Sequence, residues 1–422
     1  MDFSLRKLSS LLLLSALIIG CTVPEEEKVD YTAMSETELD AVADSLAHAY
    51  IIVDGHVDLP YRMNVKGFMI TKTVEDVSVE TTGNFDYPKA KRGGLDAPFM
   101  SIYVPSRYQE TGGAKAFADS LIDMVSRLPE TFPSKFALAD SPADIKVAFE
   151  QGLIALPMGM ENGAPIEDDI NNVKYFYDRG IRYITLTHSK DNQICDSSYD
   201  TTYTWNGVSP FGEQVIAEMN KWGIMVDISH VTDSAAFDAL RLTKAPVIAS
   251  HSSCRKFTPG WERNMPDTLI KAMAENGGVI HINFGSSFLS QESQDKFEKM
   301  REDLTNYMAE NSLSSEDSIY KAYAKQYALD NDVYEDVQKV ADHIDHVVSL
   351  VGVDYVGLGS DYDGVGDSLP KGLKDVSTYP NLIKELLNRG YSPEDIEKIC
   401  YKNTFRVWER VQEVANELQS NS

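Results

Sequence analysis

Eight short apolar segments, separated by stretches of helical periodicity, constrain the fold of this chain more than any other feature. They fall at residues 50–56 (YIIVDGH), 98–104 (PFMSIYV), 153–160 (LIALPMGM), 181–188 (IRYITLTH), 223–230 (GIMVDISH), 246–251 (PVIASH), 278–284 (GVIHINF) and 355–361 (YVGLGSD). Each is rich in β-branched or aromatic residues and nearly continuous in hydrophobicity. That is the pattern of strands buried on both faces, not of strands with one wet side. Helical stretches such as 114–128, 212–222 and 232–243 lie between them. Eight such strands alternating with helices predict a closed (β/α)8 TIM-type barrel rather than an open doubly wound sheet. No glycine-rich phosphate loop of the dinucleotide kind follows the first strand, and 422 residues suffice for one large barrel.

Outside the alternation, the first residues read as a targeting segment. Arg6 and Lys7 precede an apolar run that ends at Cys21, too short to span a bilayer, which takes roughly 20 apolar residues. The run closes in "IIGC", which resembles the lipobox of bacterial lipoproteins. The resemblance implies cleavage after residue 20, lipidation of Cys21 and an extracytoplasmic, membrane-anchored location. A plain signal peptide with a cysteine nearby is the alternative. Residues 21–34 are short and acidic, as suits a tether. Residues 35–422 form the expected catalytic barrel, whose first helix is marked by Ser35 as N-cap and Glu38 as the reciprocal partner of a capping box. A charged, aromatic-rich segment at about 289–340 reads as a helical excursion between the last two strands. The net charge of −26 excludes nucleic acid as a partner, because a phosphate backbone would be repelled. Cys195, Cys254 and Cys400 show no disulfide spacing.

Polar residues collect at the strand ends. His56 and Asp58 close the first strand, Glu161 the third, His188 the fourth, His230 the fifth, His251 the sixth and Asp361 the eighth. Singly, each has an ordinary explanation as a cap, a turn or a hydrogen-bonded histidine. In a barrel, however, these ends converge on the face that carries the active site. Neutral imidazole and carboxylate are ligands for zinc or a similar divalent ion, and ligands from several strands can hold two ions with positions left for water.

From about residue 50 onward the chain resembles the membrane dipeptidases, within the amidohydrolase-like barrels. The resemblance is carried by "DGHVDLP", "GMENG", "LTHS", "DISHV", "SHSS", "RNMPD", "HIDHV", "GLGSDYDG" and "NTFRVWERV". It implies two zinc ions, with His56 and Asp58 on one, His230 and His251 on the other, and Glu161 bridging both. It also implies a bridging water that loses its proton to become the nucleophile, His188 at the oxyanion, and Asp361 as proton shuttle. Arg263 would bind the free carboxylate of a dipeptide, since guanidinium matches carboxylate bidentately. Dipeptides, including those with a C-terminal D-residue, are the implied substrates, and a homodimer is the implied assembly. The sequence departs from the family at Asn283-Phe284-Gly285, where many members carry a substrate-contacting tyrosine in the third place, and after His188. Two other readings stand beside this one: a binuclear-metal hydrolase of another amide, a β-lactam or a lactone, and a non-catalytic peptide-binding lipoprotein.

Overall fold

Parallel pairing of short buried strands carries the chain round a closed barrel of eight. The computed structural model describes residues 30–65, 72, 73 and 75–421; the expected signal segment 1–20, Cys21 and residues 22–29 of the tether lie outside them. Among the described residues ten strands occur in chain order: β1 (Ile52–Val57), β2 (Leu95–Tyr103), β3 (Phe136–Leu138), β4 (Ile154–Leu156), β5 (Met158–Glu161), β6 (Ile181–Thr185), β7 (Met225–Asp227), β8 (Ile248–Ser252), β9 (Val279–Ile282) and β10 (Val356–Leu358). The barrel runs β1-β2-β5-β6-β7-β8-β9-β10 and returns to β1, with every pair parallel. Every barrel strand residue except Tyr103 is buried, which accounts for the continuous rather than alternating hydrophobicity.

The expected strand at 153–160 is in fact two. Pro157 has no N–H to give a ladder, and the chain breaks there into β4 and β5. β4 pairs with β3, which the sequence reading missed, in a separate two-stranded sheet. β5 enters the barrel and carries Glu161 as its last residue.

Helices cover the outside and one end. Ser35 accepts from the backbone of Glu38 while the Glu38 carboxylate accepts from Ser35 N, so the helix Glu36–Ala49 starts on a full capping box. The C-terminal helix Asn403–Ser420 places Phe405, Trp408 and Val411 in one cluster with Val53, Phe99, Tyr183, Met225 and Val279; the Phe99 and Trp408 rings are 5.2 Å apart. Between β9 and β10, the helices Gln291–Asn311 and Ser318–Asp330 leave the barrel and the helix Val337–Val351 returns to it. Cys195, Cys254 and Cys400 are buried free thiols.

Asp96 shows what burial costs the barrel wall. It accepts from Ile52 N at 3.1 Å, and burial, the largest influence, raises its carboxyl to about 7 against hydrogen bonding from Ile52. The folded chain therefore binds this proton more tightly than the unfolded chain, and stability falls as pH rises from about 4 through 7. Asp96→Asn keeps an acceptor for Ile52 without the charge. It is expected to gain about 2–4 kcal/mol at pH 8 and almost nothing at pH 4, measured by urea unfolding of both proteins at the two pH values. An equal difference at both would discount the charge.

Candidate metal centre and active site

The strand ends bring the predicted residues to one face. His56 lies in β1 with Asp58 just beyond it, Glu161 ends β5 and His251 lies in β8. His188, His230 and Asp361 each stand three residues past the ends of β6, β7 and β10. Three turns there use a left-handed residue that is not glycine: Asn162 (φ 82°), His230 (φ 69°) and Asp361 (φ 62°). Such conformations are uncommon outside Gly and Asn and cost of order 1–3 kcal/mol. At His230 and Asp361 the strain turns a side chain into the site.

Glu161 is the centre of the arrangement. Its Oε2 lies 3.5 Å from His56 Nε2, while Oε1 lies 3.1 Å from His230 Nε2 and 3.4 Å from both His251 Nε2 and His188 Nε2. Asp58 Oδ2 is 3.4 Å from His56 Nε2, and the Nε2 atoms of His230 and His251 are 2.8 Å apart. The two carboxylate oxygens thus face two groups of potential ligands: His56 with Asp58, and the three remaining histidines. Among the described residues, three groupings have candidate ligand atoms mutually within 4.8 Å: His56, Glu161 and His251; Glu161, His188 and His230; and His56, Asp58 and Asp361.

These residues fit divalent cations. His56 Nε2 and Asp58 Oδ1 are buried without a hydrogen-bond partner among the described residues, and buried polar atoms are seldom left so. Burial, aided by the neighbouring His56, pulls His251 down to about 3, so it stays neutral, as a ligand must. Glu161 is held well below the usual carboxylate range: burial opposes ionisation, but His56, His188, His230 and His251 outweigh it.

Neighbouring residues fix the orientation of these candidate ligands. Ser250 Oγ donates to Asp227 Oδ2 at 2.6 Å and lies 2.8 Å from His251 Nδ1. With its proton committed to Asp227, the serine accepts from Nδ1–H, which leaves Nε2 as the lone-pair nitrogen. Asp227 also accepts from Thr185 Oγ1 and from the N–H groups of Ser229 and Ser250. His56 Nδ1 lies 2.8 Å from the Tyr183 hydroxyl. The Tyr183 ring fits because residue 159 is glycine: a Cβ there would stand 1.9 Å from it. Gly364 has a similar role, since a Cβ would fall 2.1 Å from Asp58 Oδ2 and 2.2 Å from Asp361 Oδ1. Tyr183→Phe keeps the packed ring but strands His56 Nδ1. It is expected to weaken metal binding about 10- to 100-fold, read by competition with a chromogenic chelator; unchanged affinity would remove Tyr183 from the site.

A pocket of about 460 Å3 opens over these residues, with Asp58, Glu161, His188, His230 and Asp361 on its floor and Tyr61, Tyr103, Tyr199, Phe288 and Val365 on its walls. The His188 ring stands 4.7 Å from that of Tyr103 and 4.2 Å from that of His230. Asp361 Oδ2 accepts from Asn283 Nδ2 at 2.8 Å. Arg263 is not a surface group but only 2% exposed. It donates to Ser252 Oγ and to the His251 carbonyl, both at 2.8 Å, with its Cζ 5.2 Å from the Phe288 ring centre, and its Nε is buried without a partner among the described residues. The sequence reading missed the wall aromatics and the supports Tyr183, Ser250 and Asp227. The signal for Asp227 and Ser250 was their recurrence beside strand-end histidines, in "DISH" and "SH". His343 and His346 stand apart on the helix Val337–Val351: His343 accepts from Cys254 N and bonds the Leu289 carbonyl, and His346 pairs with Asp267 at 2.8 Å.

A parallel barrel with carboxylates and histidines converging at its rim defines the class: a metal-dependent hydrolase barrel. More particularly, the model of the membrane dipeptidases (peptidase family M19) matches residues 41–422, and the chain belongs to that family. It is thus a metallo-dipeptidase, a hydrolase that binds divalent metal. Solved structures share the fold. The probable dipeptidase PvdM from Pseudomonas aeruginosa matches at TM-score 0.76 and 24% identity, over 90% of this chain and 100% of that one. An amidohydrolase from Pseudomonas aeruginosa matches at 0.67 and 22%, over 87% and 98%. A metallo peptidase from Rhodobacter sphaeroides, liganded with a phosphinate mimic of the dipeptide L-Ala-D-Ala, matches at 0.67 and 23%, over 86% and 99%.

Proposed function

We propose that this chain is a two-zinc dipeptidase, lipid-anchored through Cys21 in the extracytoplasmic space, that cleaves dipeptides and accepts a D-residue at the C-terminal position. The observation that carries the reading is Glu161, whose two oxygens face two ligand groups. His56 and Asp58 would hold one ion, His230 and His251 the other, and Glu161 both, because shared negative charge offsets the repulsion of two close cations. When bound, the ions polarise the peptide carbonyl and lower the pKa of water at the site.

The protein's own groups do the rest. His188 reaches from the pocket floor to stabilise negative charge developing on the carbonyl oxygen. Asp361, with Oδ2 held by Asn283, offers Oδ1 to take a proton from the attacking water and deliver it to the departing amine. Arg263 binds the substrate carboxylate, which would satisfy the unpartnered Nε. A clamp one residue beyond the scissile bond limits the substrate to two residues. The phosphinate dipeptide mimic bound by the Rhodobacter sphaeroides relative accords with a D-residue in that place.

The test is amino-acid release by the purified protein from L,L- and L,D-dipeptides and matching tripeptides, before and after chelation and zinc restoration. Zinc-dependent cleavage of dipeptides alone is the expected result. Equal cleavage of tripeptides would overturn the carboxylate clamp, and binding of zinc without dipeptide cleavage would overturn the substrate.

A further inference from the structure

The excursion between β9 and β10 borders a second cavity. It measures about 560 Å3, within the size range of small-molecule sites. Its apolar lining is Tyr199, Trp261, Phe288, Phe297, Met300 and Val365, and three of these, Tyr199, Phe288 and Val365, also line the catalytic pocket. The two cavities therefore meet along a common wall. Phe297 and Met300 come from the helix Gln291–Asn311 and pack against the cluster of Ala328, Val333 and Tyr334, so the far wall is anchored. The Trp261 ring stands 4.9 Å from that of Phe288 and 6.2 Å from that of Tyr199.

Gly285 sets the width of the common wall. Its backbone (φ −55°, ψ 126°) suits any residue, so conformation does not demand glycine there. Space is tight: a Cβ would lie 3.0 Å from Phe288 Cδ2, 3.1 Å from Val365 Cγ1 and 3.2 Å from Asn283 Oδ1, so these neighbours would have to give by a few tenths of an ångström. Any larger side chain would press on the two residues that both cavities share.

From this placement we infer that the second cavity is a subsite for an aromatic or other large apolar side chain on the C-terminal residue of the substrate. The inference rests on the dipeptidase reading above. Arg263 fixes which end of the substrate is involved. Its guanidinium lies against Phe288, so a carboxylate bound there sets the C-terminal side chain beside the common wall. The charges at the cavity do not select an ionic occupant. Glu298 and Arg301 oppose each other in sign, and Asp367 is already taken by the Tyr334 hydroxyl at 2.8 Å.

The experiment compares kcat/KM for Ala-Gly, Ala-Trp and Trp-Gly in the wild type, in Gln294→Trp, which fills the cavity from an exposed helix, and in Phe297→Ala, which opens its wall. Wild type is expected to prefer Ala-Trp over Ala-Gly by about tenfold or more, mostly through KM, with no such preference for Trp-Gly. Both variants should lower that ratio, Gln294→Trp to near unity. Cleavage of Ala-Gly without preference for Ala-Trp overturns this subsite alone, as does a ratio that neither variant changes or a preference for Trp-Gly instead. Failure to cleave any of the three overturns the dipeptidase reading and the subsite with it.

Discussion

On the two-zinc reading proposed above, glutamine at position 161 is expected to leave the barrel folded and the protein without its metal pair. Glu161→Gln is nearly isosteric, and Ser101, which donates to Oε2 at 3.3 Å, can still meet an amide oxygen. The effect is therefore electrostatic and coordinative. One of two oxygens, each facing a different ligand group at 3.1–3.5 Å, becomes an NH2 that cannot ligate, and the negative charge shared between two cations disappears. Zinc content by elemental analysis is expected to fall from two equivalents to one or none. Loss of a Lewis acid worth several kcal/mol corresponds to at least about a thousandfold in kcat/KM. Stability supplies a readout independent of activity. Zinc at a thousandfold over Kd stabilises the wild type by about 4 kcal/mol, and the variant should show a much smaller shift in Tm. Two tightly held equivalents in Glu161→Gln would mean that Glu161 is not the bridge.

The barrel was legible because strands buried on both faces write themselves as unbroken apolar runs, and each of the eight expected segments overlaps a barrel strand. The error at 153–160 has a single cause: Pro157 sits inside an apolar run that periodicity alone cannot divide, and the proline's missing donor outweighs the run. The strand-end cluster was legible because His56, Glu161, His230 and His251 are polar residues ending apolar runs, where packing offers no reason for them. The pocket walls carry no such mark. Tyr61, Tyr103, Tyr199 and Phe288 are aromatics in loops, at strand ends or in short helices, indistinguishable in sequence from core residues until the fold gathers them round the pocket that holds His188 and His230. Tyr183 was hidden more thoroughly, since its ring packs in the barrel core and only its hydroxyl serves His56. Arg263 was legible by residue type and motif but not by environment: a guanidinium 2% exposed beneath Phe288 depends on contacts from β8 that lie too far along the chain to read.

On the reading proposed above, Asp361 moves the proton without holding an ion, and asparagine is the substitution that separates the two roles. The residue holds φ at 62°, a region Asn tolerates better than Ala, so Asp361→Asn keeps the turn after β10. The hydrogen bond to Asn283 also survives. Asn283 Oδ1 accepts from Gly285 N at 2.7 Å, which points its Nδ2 at position 361, where an amide oxygen accepts as well as a carboxylate does. What asparagine removes is the capacity to take up and release a proton. The expected result is a fall in kcat of roughly a hundred- to ten-thousandfold, with zinc content unchanged and the acidic limb of the pH–rate profile lost. The opposite outcome is specific too. Asp361 lies with His56 and Asp58 in one of the three potential ligand groups, so loss of a zinc equivalent in Asp361→Asn would make it a ligand. Proton transfer would then fall to His188, the remaining titratable group on the pocket floor that is not assigned to an ion.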